Sequence, residues 1–202
     1  DIYGEGLSEE FIGKGLRGRR HDVLLATKVG GVTGQGPNDR GASRQHIMTQ
    51  VEVSLRRLDT DYIDLYQIHF PDSETPIDET MSALDDLVHQ GKVRYVGCSN
   101  FSSWQICEAL WTSRMGQQAY FVSVQPEYSL LNRDIEREVL PLCRAYQVGV
   151  IPYFPLASGF LTGKYRLGEP VPEGTRFSLM TAMQDRYMTE GNFVLLDSLE
   201  SF

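Results

Sequence analysis

Short apolar segments alternate along the chain with longer segments in which apolar residues recur every three or four positions. Apolar runs of about four to eight residues are typical of strands buried on both faces, and the longer repeat is typical of helices that bury one face. The predicted strands, rich in β-branched and aromatic residues, are 22–30, 62–69, 93–100, 121–128 and 148–154. The predicted helices are 8–18, 43–58, 78–90, 102–114 and 134–146.

Residues that favour helix ends support these boundaries. Ser8 and Ser43 stand where a side-chain oxygen would accept a hydrogen bond from the first helical turn. Gly91 follows the third predicted helix as a C-terminal stop. We therefore expect Ser8 and Ser43 to cap the first two helices.

The strict alternation of strands and helices predicts a parallel sheet with right-handed crossovers. The repeats are about 30 residues long, which is the length of a βαβ unit. Two architectures fit this pattern, an open doubly wound sheet and a (β/α)8 TIM barrel. No G-x-G-x-x-G motif follows the first predicted strand, which weakens the open dinucleotide-binding sheet. The pattern therefore favours the barrel.

Five strands do not close an eight-stranded barrel, and 202 residues fall short of the roughly 250 typical of that fold. The chain begins at Asp1 rather than Met and ends in the helix-like segment LLDSLESF. We expect a single partial barrel domain over 1–202, with strands corresponding to about the third to the seventh and strand material missing at both ends. The stretch 165–178, which contains Gly and Pro, is expected to be a long surface loop.

Composition and charge narrow the class of protein. The chain is 41% hydrophobic, enough for a buried core, and has no apolar run near the roughly 20 residues that span a bilayer. A net charge of −8 argues against nucleic acid or an anionic membrane as the main partner. Cys98, Cys107 and Cys143 are odd in number and lack metal-ligand spacing, so we expect reduced thiols, no metal site and a cytoplasmic location.

Each predicted strand ends on a polar or aromatic side chain. The carboxyl ends of barrel strands meet at one rim, where the active sites of this fold are found. Each residue alone has an ordinary explanation, such as packing for a tyrosine or helix capping for a Ser-Asn pair. Together they predict one site. The residues are Lys28, His69, Ser99 with Asn100, Gln125 and Tyr153, and Tyr3 stands where an earlier strand would end.

Six segments occur in the order expected of a known family. They resemble the signature segments of the aldo-keto reductases, and the resemblance covers about residues 1–165. It implies a (β/α)8 barrel that reduces aldehydes or ketones to alcohols with a nicotinamide cofactor, usually NADPH. The segments are DIYGEGLSEEFIGKGL, LLATKVG, SLRRLDTDYIDLYQIHFPD, VRYVGCSNF, VQPEYSLLNR and PYFPLASGFLTGKY.

The resemblance also implies catalytic roles from the family's Asp–Tyr–Lys–His tetrad. Tyr3 matches the proton donor, Lys28 the ammonium that favours its phenolate form, and His69 the group that orients the carbonyl. The family's catalytic aspartate lies five residues before the tyrosine, whereas this chain begins only two residues before it. Asp1 therefore matches a second, non-catalytic acidic position.

Cofactor-binding residues are implied in the same way. Ser99, Asn100 and Gln125 match the side chains that hold the nicotinamide carboxamide, and Tyr153 matches the ring that stacks on the nicotinamide. The residues that select the 2′-phosphate lie in the family's last strand and helix, outside this sequence. The turn after Tyr153 resembles the segment along the pyrophosphate and contributes Leu156, Ser158, Gly159, Leu161 and Lys164.

Three hypotheses follow for the function of the chain. The first is an NADPH-dependent reductase of a small-molecule carbonyl compound. The second is an NADPH-binding regulatory module, like the potassium-channel β-subunits that share this fold. The third is an inactive truncated reductase with an open sheet edge prone to association.

Overall fold

A computed structural model describes residues 2–201 of the protein, which form two compact units. The first unit comprises residues 2–125 together with Glu138–Ile151. The second comprises Pro126–Arg137 together with residues 152–201. The single domain expected over 1–202 stays a prediction.

A five-stranded parallel sheet forms the centre of the first unit. Its strands follow one another in chain order, and every neighbouring pair is parallel. Since helices alternate with these strands, the prediction of a parallel α/β sheet is confirmed. The strands are β1 (Ala26–Val29), β2 (Ile63–Ile68), β3 (Val93–Ser99), β4 (Phe121–Gln125) and β5 (Gly149–Val150).

All five strands are shorter than predicted, β2 and β3 by only one or two residues and the other three by more. The first predicted strand begins instead as the 3-10 turn Arg20–Asp22, and pairing starts only at Ala26. β4 stops before Pro126, and β5 ends two residues before Pro152. Proline lacks the backbone N–H that a strand ladder needs, and this limits both strands.

The first four helices of the first unit lie within a few residues of their predicted positions, but the fifth begins at Val139 instead of residue 134, where Asp134–Glu136 form a 3-10 turn of the second unit. The Ser43 side chain accepts a hydrogen bond from the His46 N–H, which confirms the predicted cap. The Ser8 cap is wrong, because the helix already starts at Leu7 and its N-cap is Gly6 with φ of 96°. None of the helices between residues 2 and 201 is long and apolar enough to cross a membrane. The helices are α1 (Leu7–Gly15), α2 (Arg44–Leu58), α3 (Ile77–His89), α4 (Ser103–Gly116) and α5 (Val139–Tyr146).

Buried aliphatic side chains of the helices and the sheet form the core of the first unit. β2 is buried along almost its whole length, as expected of a strand covered on both faces. The helices contribute the side chains that their periodicity predicted. Fully buried members include Ile47 and Val51 of α2, Ile63 and Ile68 of β2, Met81 and Leu84 of α3, and Ile106 of α4.

A buried carboxylate joins the amino ends of three strands. Asp64 accepts hydrogen bonds from Arg20 at 2.8 Å, Arg94 at 2.9 Å and the Leu25 N–H at 2.9 Å. Burial alone would raise the pKa of Asp64, but these donors outweigh it and lower that pKa. Each of the two guanidinium groups also lies 3.9 Å from the ring centroid of Tyr62. The cluster is fully paired and stabilises the end of the sheet opposite to His69.

The second unit is built around stacked aromatic rings. The stretch 165–178 is a surface loop only in its middle, because Tyr165 and Phe177 at its two ends are fully buried. Their rings stack with centroids 4.4 Å apart, so the loop prediction is wrong for these residues. The helices of this unit are α6 (Arg176–Leu179), α7 (Thr181–Tyr187) and α8 (Glu190–Glu200), with 3-10 turns at Asp134–Glu136 and Ala157–Thr162.

Candidate active site

Three predicted side chains meet at the carboxyl ends of β1 and β2. The Lys28 Nζ donates a hydrogen bond to the Tyr3 Oη at 3.3 Å. On its other side the Tyr3 Oη lies 3.4 Å from the His69 Nε2. The structure therefore places the phenol between an ammonium and an imidazole. Asp1 lies outside the described residues.

The backbone around His69 is held on two sides. Its N–H donates to the Val29 carbonyl at 2.8 Å, which extends the pairing of β1 and β2 by one residue. Its carbonyl accepts a hydrogen bond from the Asn100 Nδ2 at 2.9 Å. Strands on both sides thus fix the point from which the imidazole projects.

Tyr3 reaches the site from a tight turn. The 3-10 segment Tyr3–Gly6 contains left-handed residues, with φ of 59° at Gly4 and 55° at Glu5, and φ is 96° at Gly6. Glycine adopts this region without a steric penalty, which permits the turn at two of the three positions. Tyr3 remains 52% exposed and its hydrogen bond with Lys28 is also exposed, so this pair lies at the surface of the first unit.

His69 is buried and uncharged at neutral pH. Burial, together with the nearby Lys28 ammonium, lowers the pKa of His69 to about 4. A neutral imidazole carries one N–H and one acceptor nitrogen. The site therefore offers a neutral ring beside the phenol, with the positive charge on Lys28.

The predicted carboxamide residues form a hydrogen-bonded group beside His69. The Ser99 Oγ donates to the Gln125 carbonyl at 2.7 Å, and the Asn100 Nδ2 donates to the Ser99 Oγ at 3.1 Å. Asn100 takes a left-handed conformation with φ of 63°, and its N–H contacts the Gln125 carbonyl at 3.3 Å. All three residues are at or next to the ends of β3 and β4, as expected from the sequence. Their binding role stays a prediction.

The second unit contains the other predicted cofactor residues. Tyr153 pairs with Glu127 in a parallel bridge, and its N–H donates to the Pro126 carbonyl at 2.9 Å. The joint placement of Tyr153 with the residues of the first unit stays a prediction. Within this unit, Leu156 is exposed, Leu161 is half-buried, and the buried Ser158 Oγ lies 3.8 Å from the Met183 sulfur.

The turn after Tyr153 has an unusual backbone. Four residues close together have positive φ: Phe154 at 53°, Ala157 at 48°, Ser158 at 57° and Gly159 at 96°. A Cβ added to Gly159 would lie 3.1 Å from the Lys164 Nζ, so the ammonium sits directly against the turn. Hydrogen bonds within the turn already use the N–H groups of Ala157 and Gly159, which donate to the Phe154 and Leu156 carbonyls at 2.8 and 2.9 Å. The Lys164 ammonium beside the turn is a group that can pair with an anion.

Comparison with known proteins shows the family of the chain. The sequence model of the Aldo/keto reductase family matches residues 1–202. The chain belongs to the aldo-keto reductase family. A (β/α)8 barrel is the fold of this family, and the five parallel strands of this aldo-keto reductase, alternating with helices, are a part of such a barrel.

Curated relatives of this aldo-keto reductase carry two kinds of name. Two are named probable voltage-gated potassium channel subunit beta: that of Oryza sativa subsp. japonica is 40% identical over 98% of the chain, and that of Arabidopsis thaliana is 38% identical over 98%. The aldo-keto reductase YhdN of Bacillus subtilis (strain 168) is 42% identical over 80% of the chain. The chain spans 59%, 60% and 48% of the length of these relatives.

Three residues that support the site of this aldo-keto reductase were missed by the sequence analysis. Glu9, which is buried, and Arg57, which is half-buried, form an ion pair beneath the Tyr3 turn, with 3.3 Å between Oε2 and Nη1. Asp72 joins the loops after β1 and β2. No local pattern in the sequence marked these residues, because charged residues on an amphipathic helix or in a loop normally face solvent.

Asp72 fixes the two loops beside His69. Its carboxylate accepts hydrogen bonds from the Ala42 N–H and the Thr75 Oγ1, both at 2.7 Å, and from the Glu74 N–H at 2.9 Å. Burial alone would raise the pKa of Asp72, but these donors outweigh it and lower that pKa below its ordinary 3.8. The stabilisation is therefore present above about pH 4 and is lost as pH falls through the lowered pKa.

We expect Asp72→Asn to lower the free energy of unfolding by about 1–3 kcal/mol at neutral pH, because three donors, two of them partly buried, lose a charged acceptor. The difference from wild type should shrink at about pH 3, where the native carboxylate also begins to be protonated. Urea unfolding at the two pH values measures both effects. Glu74→Gln, in the same loop but exposed, is the matched control. Equal stability of Asp72→Asn and Glu74→Gln at neutral pH would contradict the prediction.

Proposed function

We propose that the protein reduces an aldehyde or ketone to an alcohol, with NADPH as the hydride source and Tyr3 as the proton donor. The observation that carries this proposal is the continuous contact from the Lys28 Nζ through the Tyr3 Oη to the His69 Nε2, at 3.3 and 3.4 Å. These groups lie at the carboxyl ends of parallel strands, where active sites of this fold are found.

The residue types suit the reduction of a carbonyl. When bound, the nicotinamide supplies a hydride to the carbonyl carbon. Negative charge then develops on the carbonyl oxygen, and the exposed Tyr3 hydroxyl donates its proton to that oxygen. The hydrogen bond from the Lys28 ammonium stabilises the phenolate that remains. Neutral His69 beside the phenol orients the carbonyl by a hydrogen bond from its single N–H.

The residues of each unit fit a nicotinamide dinucleotide. In the first unit, Ser99, Asn100 and Gln125 bring hydroxyl and amide groups to the strand ends, and these groups match the donors and acceptors of a carboxamide. In the second unit, the small Gly159 of the left-handed turn leaves room for the Lys164 ammonium, which supplies a positive charge for a pyrophosphate.

A regulatory role is the second candidate function. Two plant relatives named probable voltage-gated potassium channel subunit beta match 98% of the chain at 40% and 38% identity. A cofactor-binding regulatory module would bind NADPH and a protein partner while turning over carbonyl compounds slowly. Binding of NADPH is therefore shared by both candidates, and turnover separates them.

The test uses the full-length protein with NADPH, NADH and a panel of aldehydes and ketones. We expect NADPH to raise the Tm, since a ligand that binds only the folded state stabilises it. We also expect steady oxidation of NADPH when a carbonyl compound is added. Binding without turnover would favour the regulatory module, and the absence of any Tm shift would contradict both candidates.

Glycine variants test the turn beside Lys164 in the second unit. Gly159→Ala should weaken NADPH binding by about three- to tenfold, because the new methyl group would lie 3.1 Å from the Lys164 Nζ and would shift the ammonium from its place at the turn. Gly168→Ala is the matched control, since Gly168 also has positive φ, of 76°, but has open space around it. Isothermal titration with NADPH measures both. Equal affinities of Gly159→Ala and Gly168→Ala for NADPH would show that the turn does not take part in NADPH binding.

A further inference from the structure

Glu9 is a buried carboxylate outside the Tyr3, Lys28 and His69 group. Glu9 is only 4% exposed, although it lies in α1 next to Glu10, whose side chain is 46% exposed. The Thr27 Oγ1 donates a hydrogen bond to the Glu9 Oε1 at 2.7 Å, and the Arg57 Nη1 lies 3.3 Å from the Glu9 Oε2. Burying a carboxylate is costly unless it is paired and hydrogen-bonded, so these contacts hold α1 in place.

Glu9 and Thr27, the partners in this hydrogen bond, are close in sequence to Tyr3 and Lys28, respectively. α1 follows directly after the Tyr3–Gly6 turn, and Thr27 is the residue before Lys28 on β1. Successive side chains of a strand point to opposite faces. Thr27 therefore contacts α1 on one face of the sheet while Lys28 reaches the Tyr3 hydroxyl on the other.

Arg57 extends the same connection to α2. Its Nη2 donates to the Glu5 carbonyl at 3.5 Å, and a Cβ added to Gly6 would lie 2.3 Å from the Arg57 Cζ. At the other end of α1, a Cβ added to Gly13 would lie 2.7 Å from the Leu58 carbonyl oxygen. The backbone that carries Tyr3 is thus packed closely against α2, with Glu9 at the centre of the contact.

The Tyr3 side chain itself is half exposed, so packing around the ring does little to fix it. Apart from the contacts of its hydroxyl with Lys28 and His69, the position of Tyr3 is set by the backbone that precedes α1. We propose that Glu9 is a positioning residue, which sets the distance between the Tyr3 Oη and the Lys28 Nζ through its hydrogen bond to Thr27 and its ion pair with Arg57. The inference rests on the proposed carbonyl reduction and deepens it.

Four variants of the full-length protein test this role. Glu9→Gln removes the charge that pairs with Arg57, and Glu10→Gln is the matched control on the exposed face of the same helix. Thr27→Val removes the donor to Glu9 with little change of shape, and Thr27→Ser restores a hydroxyl. Each variant is measured for kcat, KM, the Kd of NADPH and Tm.

We expect kcat to fall by about 10- to 100-fold in Glu9→Gln and Thr27→Val, because a displacement of about 1 Å between reacting groups has an effect of this size. KM and the Kd of NADPH should stay within about twofold of wild type, since the substrate and cofactor contacts are unchanged. Thr27→Ser should recover most of the wild-type kcat. A kcat of Glu9→Gln equal to that of Glu10→Gln, or of Thr27→Val equal to that of Thr27→Ser, would overturn the inference.

Crystal structures of Thr27→Val and Thr27→Ser separate this inference from the proposed function. A Tyr3 Oη to Lys28 Nζ distance longer by about 1 Å in Thr27→Val alone supports the positioning role, whether or not the protein reduces carbonyl compounds. An unchanged distance in both variants overturns it. Absence of turnover by the wild-type protein overturns the proposed function instead.

Discussion

Replacement of Tyr3 by Phe is expected to lower kcat for carbonyl reduction by about 10²- to 10⁴-fold, which is the usual contribution of a positioned proton donor. The substitution removes only the hydroxyl that Lys28 and His69 contact at 3.3 and 3.4 Å. The ring is half exposed and carries little of the core, so the free energy of unfolding should change by less than about 0.5 kcal/mol. Steady-state kinetics and urea unfolding measure the two quantities.

The Kd of NADPH should stay within about twofold of wild type in Tyr3→Phe, since the loss is confined to the proton that is transferred in the transition state. Tyr120→Phe is the matched control, because Tyr120 is equally exposed and lies in the same unit. Wild-type turnover by Tyr3→Phe would remove Tyr3 from the role of proton donor.

Replacement of Lys28 by Met is expected to lower kcat by about 10²- to 10³-fold. Removal of one hydrogen-bond donor that stabilises developing negative charge in an enzyme typically has an effect of this size. The methionine keeps the length of the side chain but offers no ammonium to the Tyr3 oxygen. Lys14→Met, on the exposed face of α1, is the control and should retain wild-type kcat. Equal kcat values for Lys28→Met and Lys14→Met would contradict the electrostatic role.

The same substitution has a second readout at His69. Burial is the main cause of the low pKa of His69, and the Lys28 ammonium adds to it. In Lys28→Met the pKa of His69 should therefore rise from about 4 toward its ordinary 6.5, but remain below 6.5 because burial persists. Proton NMR titration of the histidine ring signals measures this shift. An unchanged pKa would mean that Lys28 does not act on the imidazole.

Much of the fold followed from local patterns. The apolar runs predicted all five parallel strands, and the periodic segments predicted α1 to α4 to within a few residues. The N-terminal cap of α2 at Ser43 was also predictable, because a helix cap depends on residues only three positions apart. The extents of β4 and β5 were overestimated where Pro126 and Pro152 stop the pairing.

The reactive residues of the candidate site could be predicted from the sequence, but the residues that hold them in place could not. Tyr3, Lys28 and His69 were singled out because they follow strand ends and because their segments resemble a family motif. Glu9, Arg57 and Asp72 have the composition of surface residues, and nothing next to them in the sequence distinguishes them from Glu10 or Glu74. Their importance depends on partners 18 to 48 residues away.

The sequence by itself determined the strand and helix order, the parallel sheet and the residue types brought to one edge of it, because periodicity and strand ends act over a few neighbouring positions. Only the tertiary structure decided which polar groups are buried together, such as Glu9 with Thr27, and how the Asn100 amide holds the His69 carbonyl. The physical reason is that a hydrogen bond between distant residues depends on which faces of separate elements meet. Local residue preferences do not specify which faces of separate helices and strands pack together.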